Sequence, residues 1–379
     1  MNKQIVTDFS DQDLYSWSVC LFYLNHFPNM NLRYEFIDRN KTVYPEGFLE
    51  KLNEQIKGID GLKMKDWEID GLRQFTNTYF PSWFYTFLKG LELKSDEVNM
   101  YIAEDGTLHG TIEGPAWRVV FWEQLLLATI SELYHREIGD SQYYDINTES
   151  SFTRTKGDLL MSNGCNFCDM GTRRRFSKEH HEMVMETLCK THEESIKKPG
   201  KFIGTSNLYL AIKYKKRYPW IKCIGTMSHQ AISVCAAVYG PREANKIAMQ
   251  KWYESYKGNL GIYLYDCLGE KAFYNNFSRE NAKLWDGYRV DSGDNLDQFR
   301  KLIWSKPPPK RAYKYGVNLN AETNDYSFTV LEQMRCLVMN IIGNKAMRDT
   351  CAMKDTLSGT AQFVADLTLS GVTLEEQMK

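Results

Sequence analysis

The segment Trp220-Ile-Lys-Cys-Ile-Gly-Thr-Met-Ser-His-Gln230 joins a short apolar run to a polar turn, and it decides the fold. The run 220–224 predicts a buried strand, which the turn beginning at Gly225 follows directly. Two further polar motifs have the same setting, Gly204-Thr-Ser-Asn207 and Arg289-Val-Asp-Ser-Gly-Asp294. Polar and glycine residues just past strand ends are where α/β barrels and open α/β sheets build their active sites. Three such motifs in succession predict a site assembled from several βα loops.

Downstream of about residue 150 the chain alternates strand-like runs with helical patterns. The runs are 220–224, 260–265, 285–290 and 312–317, and the helical patterns are 178–190, 207–216, 230–238 and 242–256. This alternation predicts parallel pairing through crossover helices. Upstream, helices are expected at 16–27, 46–58, 82–91 and, as one long helix, 116–136, with a strand at 32–37 and a hairpin turn at Asp105-Gly106. We therefore expect an N-terminal α+β domain over 1–135, an α/β domain over 136–325 and a C-terminal segment, 326–379, returning to the N-terminal domain.

Charge and cysteine content exclude several classes of function. The 379 residues include 47 basic and 48 acidic residues, so there is no global field to hold nucleic acid, and a polyanion needs a local cluster. The nine cysteines are scattered, and Cys165-Asn-Phe-Cys168 has no second pair to complete a zinc site, which favours reduced thiols. Met1-Asn-Lys-Gln leads into polar Thr7-Asp8, and the apolar stretches are too short or too charged for a bilayer. A cytoplasmic protein without a membrane partner is expected.

The run Gly171-Thr-Arg173-Arg174-Arg175 is the strongest charge cluster in the chain. Three consecutive arginines cannot share one face of a helix or strand, so some must point inward or toward a ligand. A guanidinium binds phosphate and carboxylate bidentately, which predicts an anion site. A solvated surface run is the alternative.

His229 ends the motif Gly-Thr-x-x-His after a predicted strand. An imidazole in this position can act as a base, as a metal ligand or as a nucleophile toward phosphorus, and a structural histidine is the alternative. No His or Cys lies at ligand spacing from it, so metal binding is the least favoured of these roles.

Asp291 and Asp294 flank Ser292-Gly293. Two carboxylates beside a flexible glycine can hold Mg²⁺ or stabilise a developing cation, whereas a turn with an Asp cap needs no ligand. Arg289 precedes Asp291 by two residues, so both side chains would face the same side of a strand.

Taken in order, these motifs resemble those of the nicotinate phosphoribosyltransferase family. The resemblance rests on 169–177, 204–207, 225–229 and 289–294, and it extends to Thr7-Asp8 with Asp13-Leu-Tyr15, to 113–123 and to 130–132. It covers roughly residues 5 to 320.

The resemblance implies an irregular α/β barrel of the type II phosphoribosyltransferase kind with an N-terminal α+β domain, working as a homodimer with shared active sites. The implied reaction joins nicotinate to phosphoribosyl pyrophosphate, giving nicotinate mononucleotide and pyrophosphate for NAD biosynthesis. ATP is the implied co-substrate, hydrolysed through a phosphorylated histidine, and Mg²⁺ the implied metal. His229, Asp291 and Asp294 are the implied catalytic residues, the two aspartates also holding Mg²⁺. The implied substrate contacts are Tyr15 and Phe167 around the pyridine ring, Thr226 and Arg289 on nicotinate, Arg173, Arg174 and Arg175 on its carboxylate and on phosphates, and Thr205 and Asn207.

The sequence departs from the family pattern at two places. Gln230 follows the histidine where the family usually has glutamate, and Asn318-Leu319 replace a glycine and threonine of the phosphate loop near 315–319. Three activities therefore remain open: the ATP-coupled nicotinate enzyme, a phosphoribosyltransferase for nicotinamide or without ATP coupling, and a non-catalytic nucleotide-binding homologue.

Overall fold

The structure is a computed structural model that describes residues 3–38, 41–139 and 145–289, together with strand backbones at 312–313 and 361–366. The helices are α1 (Tyr15–His26), α2 (Phe48–Ile59), α3 (Asp66–Thr76), α4 (Ser82–Gly90), α5 (Ala116–Val119), α6 (Trp122–Glu137), α7 (Ile146–Ser162), α8 (Lys178–Glu194), α9 (Leu208–Lys215), α10 (His229–Tyr239), α11 (Pro241–Tyr256), α12 (Glu270–Asn276) and α13 (Arg279–Leu284). The strands are β1 (Asn31–Asp38), β2 (Val98–Ile102), β3 (Leu108–Pro115), β4 (Phe167–Asp169), β5 (Phe202–Thr205), β6 (Lys222–Cys223), β7 (Ile262–Leu264), β8 (Gly287–Arg289), β9 (Ala312–Tyr313) and β10 (Ala361–Asp366). Among the described helices, none is long and apolar enough to cross a membrane.

The N-terminal sheet is antiparallel with strand order β10-β1-β3-β2. Its strand β1 alternates as the sequence predicts, with Leu32, Tyr34 and Phe36 buried and the residues between them exposed. The predicted hairpin is confirmed, because β2 pairs with β3 and Gly106 takes a φ of +81° in the turn. On its other side β1 pairs with β10, so a strand from the C-terminal segment completes this sheet.

The long helix expected over 116–136 is interrupted, and that prediction is wrong at its first turns. Helix α5 ends at Val119, and α6 begins at Trp122. Between them the backbone tightens, since the Phe121 amide donates to the Arg118 carbonyl, three residues back. The tighter turn places the Phe121 ring against those of Phe9 and Trp17, at centroid distances of 5.0 and 5.7 Å. The local sequence favours a continuous helix here, but the packing of the Phe121 ring interrupts it between α5 and α6.

The second half contains two parallel three-stranded sheets, β4-β5-β6 and β7-β8-β9. The predicted parallel pairing through crossover helices is confirmed, because α8 and α9 connect the first three strands and α12 with α13 connect β7 to β8. The strand expected over 220–224 is shorter than predicted and forms only at β6. Helices α3, α7, α12 and α13 lie where no helix was expected.

Gly204 allows the close approach of β5 to β6. Its φ is +148°, and a Cβ at this position would lie 2.0 Å from the Lys222 carbonyl oxygen. Only glycine fits without moving one of the strands. The first strand-end motif therefore begins at the point where two strands come closest.

Candidate active site

An N-terminal loop lies along the end of β5 and supplies part of the site. The Leu14 amide donates to the Ser206 carbonyl at 2.8 Å, and Asp13 forms a bridge with Asn207. Gly225 packs against the start of α1, since a Cβ there would lie 2.9 Å from the Tyr15 nitrogen. Residues 13–15 are thus placed between two of the predicted strand-end motifs.

A buried polar network joins this loop to the motif at 204–207. Asp13 Oδ1 accepts hydrogen bonds from the hydroxyls of Thr172 at 2.6 Å and Ser206 at 2.8 Å, and burial raises the pKa of this carboxyl. Asn207 Nδ2 donates to Asp11 Oδ1 at 3.0 Å and to Thr172 Oγ1 at 3.1 Å, while its Oδ1 caps α9. Asn207 therefore holds three segments together, and its predicted substrate contact stays a prediction.

Asp169 ties the beginning of the arginine run to the same strand end. Its Oδ2 accepts from the Thr205 hydroxyl and is 2.7 Å from His181 Nε2, and its Oδ1 accepts from the Gly171 amide at 3.1 Å. Burial acts to raise the pKa of the Asp169 carboxyl, but His181 and these hydrogen bonds hold it below its usual range. Thr205 is fully buried in this arrangement.

The arginines of the run have different surroundings. Arg175 is 1% exposed, donates to Asp11 Oδ1 at 2.6 Å and lies 3.6 Å from Glu132 Oε2. Arg173 is 33% exposed, and its Nη1 donates to Glu123 Oε1 at 3.2 Å. The side chain of Arg174 lies outside the described residues. These contacts favour a structural role for Arg175 and leave Arg173 accessible to a ligand.

Glu123 gathers side chains from three other segments. Its Oε2 accepts from the Tyr15 hydroxyl at 3.0 Å and from the Gln230 amide, and its Oε1 accepts from Arg173. The Gln124 amide also donates to the Tyr15 hydroxyl. Burial raises the pKa of the Glu123 carboxyl, although Arg173 and Tyr15 oppose the rise. Tyr15, Arg173 and the first turn of α10 are thus brought to one point.

His229 faces a carboxylate that the sequence analysis did not identify. Its Nε2 lies 3.3 Å from Asp266 Oδ1, two residues past the end of β7. Gln230 is turned elsewhere, since its Oε1 accepts from the Tyr34 hydroxyl at 2.6 Å and its Nε2 donates to Glu123. The carboxylate beside the imidazole therefore comes from a neighbouring strand end and not from position 230. Asp266 follows the run 260–265, so the strand-end criterion could have found it.

The remaining predicted contacts are dispersed around this region. The Thr226 carbonyl accepts from the Ser18 hydroxyl, and Phe167 is buried with its ring 5.3 Å from that of Phe202. Arg289 ends β8 near Cys168: burial raises the pKa of that thiol to about 12, and the Arg289 guanidinium opposes the rise. Pyridine contacts by Phe167, Thr226 and Arg289 stay predictions.

Asp291, Asp294 and the loop 315–319 lie outside the described residues. Within the part of the chain that the structure describes, no three His, Cys, Asp or Glu side chains gather in a way that could hold a metal ion. The Mg²⁺ site accordingly stays a prediction from sequence.

The antiparallel N-terminal sheet followed by parallel strands with crossover helices is consistent with the type II phosphoribosyltransferase fold. The chain is similar to the crystal structure titled nicotinate phosphoribosyltransferase from Porphyromonas gingivalis, with a TM-score of 0.77, 28% identity and coverage of 97% of this chain and 92% of that one. A Vibrio cholerae structure of the same title gives a TM-score of 0.71 at 25% identity, covering 81% and 71% of the two chains. The predicted fold class is confirmed.

Sequence comparison agrees with the structural one. The nicotinate phosphoribosyltransferase (NAPRTase) family model matches residues 165–324, and the model of its N-terminal domain matches residues 11–131. A protein from Methanosarcina acetivorans named nicotinate phosphoribosyltransferase is 33% identical over 339 residues, covering 84% of this chain and 80% of that protein. One of the same name from Burkholderia ambifaria is 32% identical, covering 79% and 73%. The chain belongs to the nicotinate phosphoribosyltransferase family.

Proposed function

We propose that the chain joins nicotinate to phosphoribosyl pyrophosphate and couples this transfer to ATP hydrolysis through a phosphorylated His229. The observation that carries the proposal is the His229–Asp266 pair at neighbouring strand ends, in a chain whose relatives are named nicotinate phosphoribosyltransferase. The substrates and the choice of His229 follow from the family resemblance, and the partner carboxylate, Asp266, follows from the geometry.

The pair is suited to accept a phosphoryl group. A carboxylate only accepts hydrogen bonds, so a bond to Asp266 places the imidazole proton on Nε2 and leaves the Nδ1 lone pair available. The His229 side chain is 43% exposed and can be reached by a nucleotide. In the proposed step Nδ1 forms a bond to the γ-phosphorus while the bond from that phosphorus to the ADP oxygen breaks. The Asp266 carboxylate then stabilises the positive charge of the phosphorylated ring.

The ribosyl transfer needs positioning more than proton transfer. The pyridine nitrogen attacks the anomeric carbon while the carbon–oxygen bond to pyrophosphate breaks, so charge develops on an oxocarbenium-like ribose and on the leaving group. Arg173, which is a third exposed and hydrogen-bonded to Glu123, is proposed to orient the nicotinate carboxylate. Asp291 is proposed to face the ribosyl cation and, with Asp294, to hold the Mg²⁺ that would neutralise pyrophosphate.

The test is pyrophosphate release from phosphoribosyl pyrophosphate, measured with nicotinate or nicotinamide and with or without ATP. We expect release with nicotinate, stimulated by ATP. Release with nicotinamide but not with nicotinate would identify a nicotinamide phosphoribosyltransferase. Release with nicotinate that ATP does not change would identify an enzyme without ATP coupling. No release under any condition would leave the non-catalytic homologue.

The coupling residue is tested by His229→Ala and Asp266→Asn. Both variants are expected to lose the ATP stimulation and the acid-labile ³²P label from γ-labelled ATP, while keeping a basal transfer rate. His109→Ala, which alters a histidine on β3, is the matched control and should retain both. Full labelling of His229→Ala would exclude the proposed phosphohistidine.

A further inference from the structure

We propose that Glu123 is a positioning residue of the nicotinate subsite, which fixes Arg173 and Tyr15 in the orientation that receives the substrate. The inference rests on the proposed function and adds a residue to it. Glu123 lies on the first turn of α6 and is 5% exposed, so it acts on the substrate through its neighbours.

The two carboxylate oxygens of Glu123 have separate partners. Oε1 accepts from Arg173 Nη1 at 3.2 Å, and Oε2 accepts from the Tyr15 hydroxyl at 3.0 Å. Arg173 comes from the run after β4 and Tyr15 from the start of α1, so the carboxylate ties together residues from distant parts of the sequence. A guanidinium hydrogen-bonded to a fixed carboxylate is restricted in orientation, which lowers the cost of binding an anion.

Gln230 completes the arrangement and explains why an amide suits this position. Its Nε2 donates to Glu123 Oε2 while its Oε1 accepts from the Tyr34 hydroxyl at 2.6 Å. A glutamate at 230 would place a second buried carboxyl against Glu123, and one of the two would have to keep a proton. The amide donates a hydrogen bond where a second carboxylate would repel, which favours the charged form of Glu123 beside Arg173.

Glu123→Gln is the primary test, since it keeps the shape and removes the charge. We expect the KM for nicotinate to rise about tenfold, which corresponds to the loss of one hydrogen bond to a charged group. The kcat and the KM for phosphoribosyl pyrophosphate should stay close to the wild-type values. A merely structural role would not separate the two substrates in this way.

Glu97→Gln is the matched control. Glu97 is also buried, has a pKa raised by burial, and accepts from Arg118 Nε at 2.6 Å and from Trp122 Nε1 at 3.2 Å. Its loss should lower stability and leave the KM for nicotinate unchanged.

A second measurement does not depend on turnover. Modification of Arg173 by phenylglyoxal, followed by peptide mass spectrometry, should be several-fold faster in Glu123→Gln than in wild type or Glu97→Gln. If Glu123→Gln does not fold, Glu123→Asp provides the test, since it keeps the charge and draws it back from Arg173 and Tyr15, with a raised KM for nicotinate and a more reactive Arg173.

The two possible failures can be told apart. An active wild-type enzyme with an unchanged KM and unchanged Arg173 reactivity in the folded variant would overturn the role of Glu123 alone. A wild-type protein that releases no pyrophosphate with nicotinate would overturn the proposed function and this inference with it.

Discussion

Arg173 and Arg175 stand two residues apart and differ in what surrounds them. The guanidinium of Arg175 lies among Asp11, Glu132 and the amine of Lys178, which is 3.7 Å from Asp11 Oδ2, whereas Arg173 keeps a third of its surface. At the scale of a residue, burial and ion pairing therefore give two arginines of the same run different roles: Arg175 is structural, and Arg173 is accessible to a ligand.

Arg175→Met is expected to destabilise the protein by about 3–5 kcal/mol, because it removes the fully buried cation between Asp11 and Glu132 and leaves them only the more exposed Lys178 and Arg136. Urea unfolding measures the change. Arg217→Met is the control: Arg217 pairs with Glu186 at 2.7 Å but is 63% exposed, so its loss should cost below ~1 kcal/mol. Equal effects of the two substitutions would contradict the structural role.

The Asp11 carboxyl is expected to account for part of the stability that the protein loses in acid. Burial acts to raise the pKa of the Asp11 carboxyl, but Arg175 and Lys178 hold it well below its usual range. A depressed folded-state pKa contributes stability above the unfolded value, about 3.9, and that stability is lost as pH falls toward the folded value. Asp11→Asn should therefore be less stable than wild type at pH 7 and lose less stability below pH 4. Unfolding curves across this range measure it, and Asp70→Asn, on the exposed side of α3, should keep the wild-type slope.

At the scale of elements, the parallel strands are short and their contact depends on close backbone approach. Strand β6 has two residues, and Gly204 lies directly against the Lys222 backbone. A strand this short is held by its neighbours more than by its own β propensity. This dependence explains why the run 220–224 indicated a longer strand than the structure forms.

Gly204→Ala tests the approach of β5 to β6. The added Cβ would meet the Lys222 carbonyl oxygen at 2.0 Å, so one strand must move, at an expected cost of about 3 kcal/mol. Gly90→Ala is the control, since a Cβ there has no atom within 4 Å, and it should be neutral or stabilising by up to about 1 kcal/mol. Thermal unfolding of both variants decides, and a neutral Gly204→Ala would contradict the close approach.

At the scale of the whole molecule, the candidate site is built from both halves of the chain. Asp13 precedes α1 and Tyr15 begins it, and Glu123 belongs to α6. Arg173 follows β4, and His229 begins α10. The N-terminal sheet that supports α1 is itself completed by β10 from the far end of the sequence. The integrity of the site therefore depends on contacts between distant segments.

Proline scanning of β10 tests this long-range pairing. Consecutive amides of a strand point to opposite sides, so one of Phe363→Pro and Val364→Pro must remove an N–H facing β1. That variant should accelerate hydrogen exchange in a peptide covering Asn31–Asp38, as measured by mass spectrometry. Alanine at the same positions keeps the amides and is the control. Unchanged exchange in both proline variants would contradict the pairing.

Periodicity predicted helices such as α1, α8 and α11, and the Asp105-Gly106 turn predicted the hairpin, because each is determined by neighbours in sequence, but the 17-residue α7 was missed. The break before Trp122 was missed because Phe121 packs on rings from α1 and the N-terminal loop. Strand-end logic led to Thr205, Asn207 and His229, yet it did not identify Glu123. A glutamate within a helical pattern indicates a solvated face, and its burial is visible only when the partners are placed.

The sequence by itself determined the order of the strand-end motifs and, through them, the family, since both depend on residue types at short spacing. Tertiary structure alone decided that Gln230 faces Glu123 and that Asp266 takes the position beside His229. These partners are 107 and 37 residues apart, and which side chains meet is set by the packing of whole elements. The local sequence pattern determines which residue types are present in the site. The packing of distant elements determines which of their side chains meet, how they are oriented and how exposed they are.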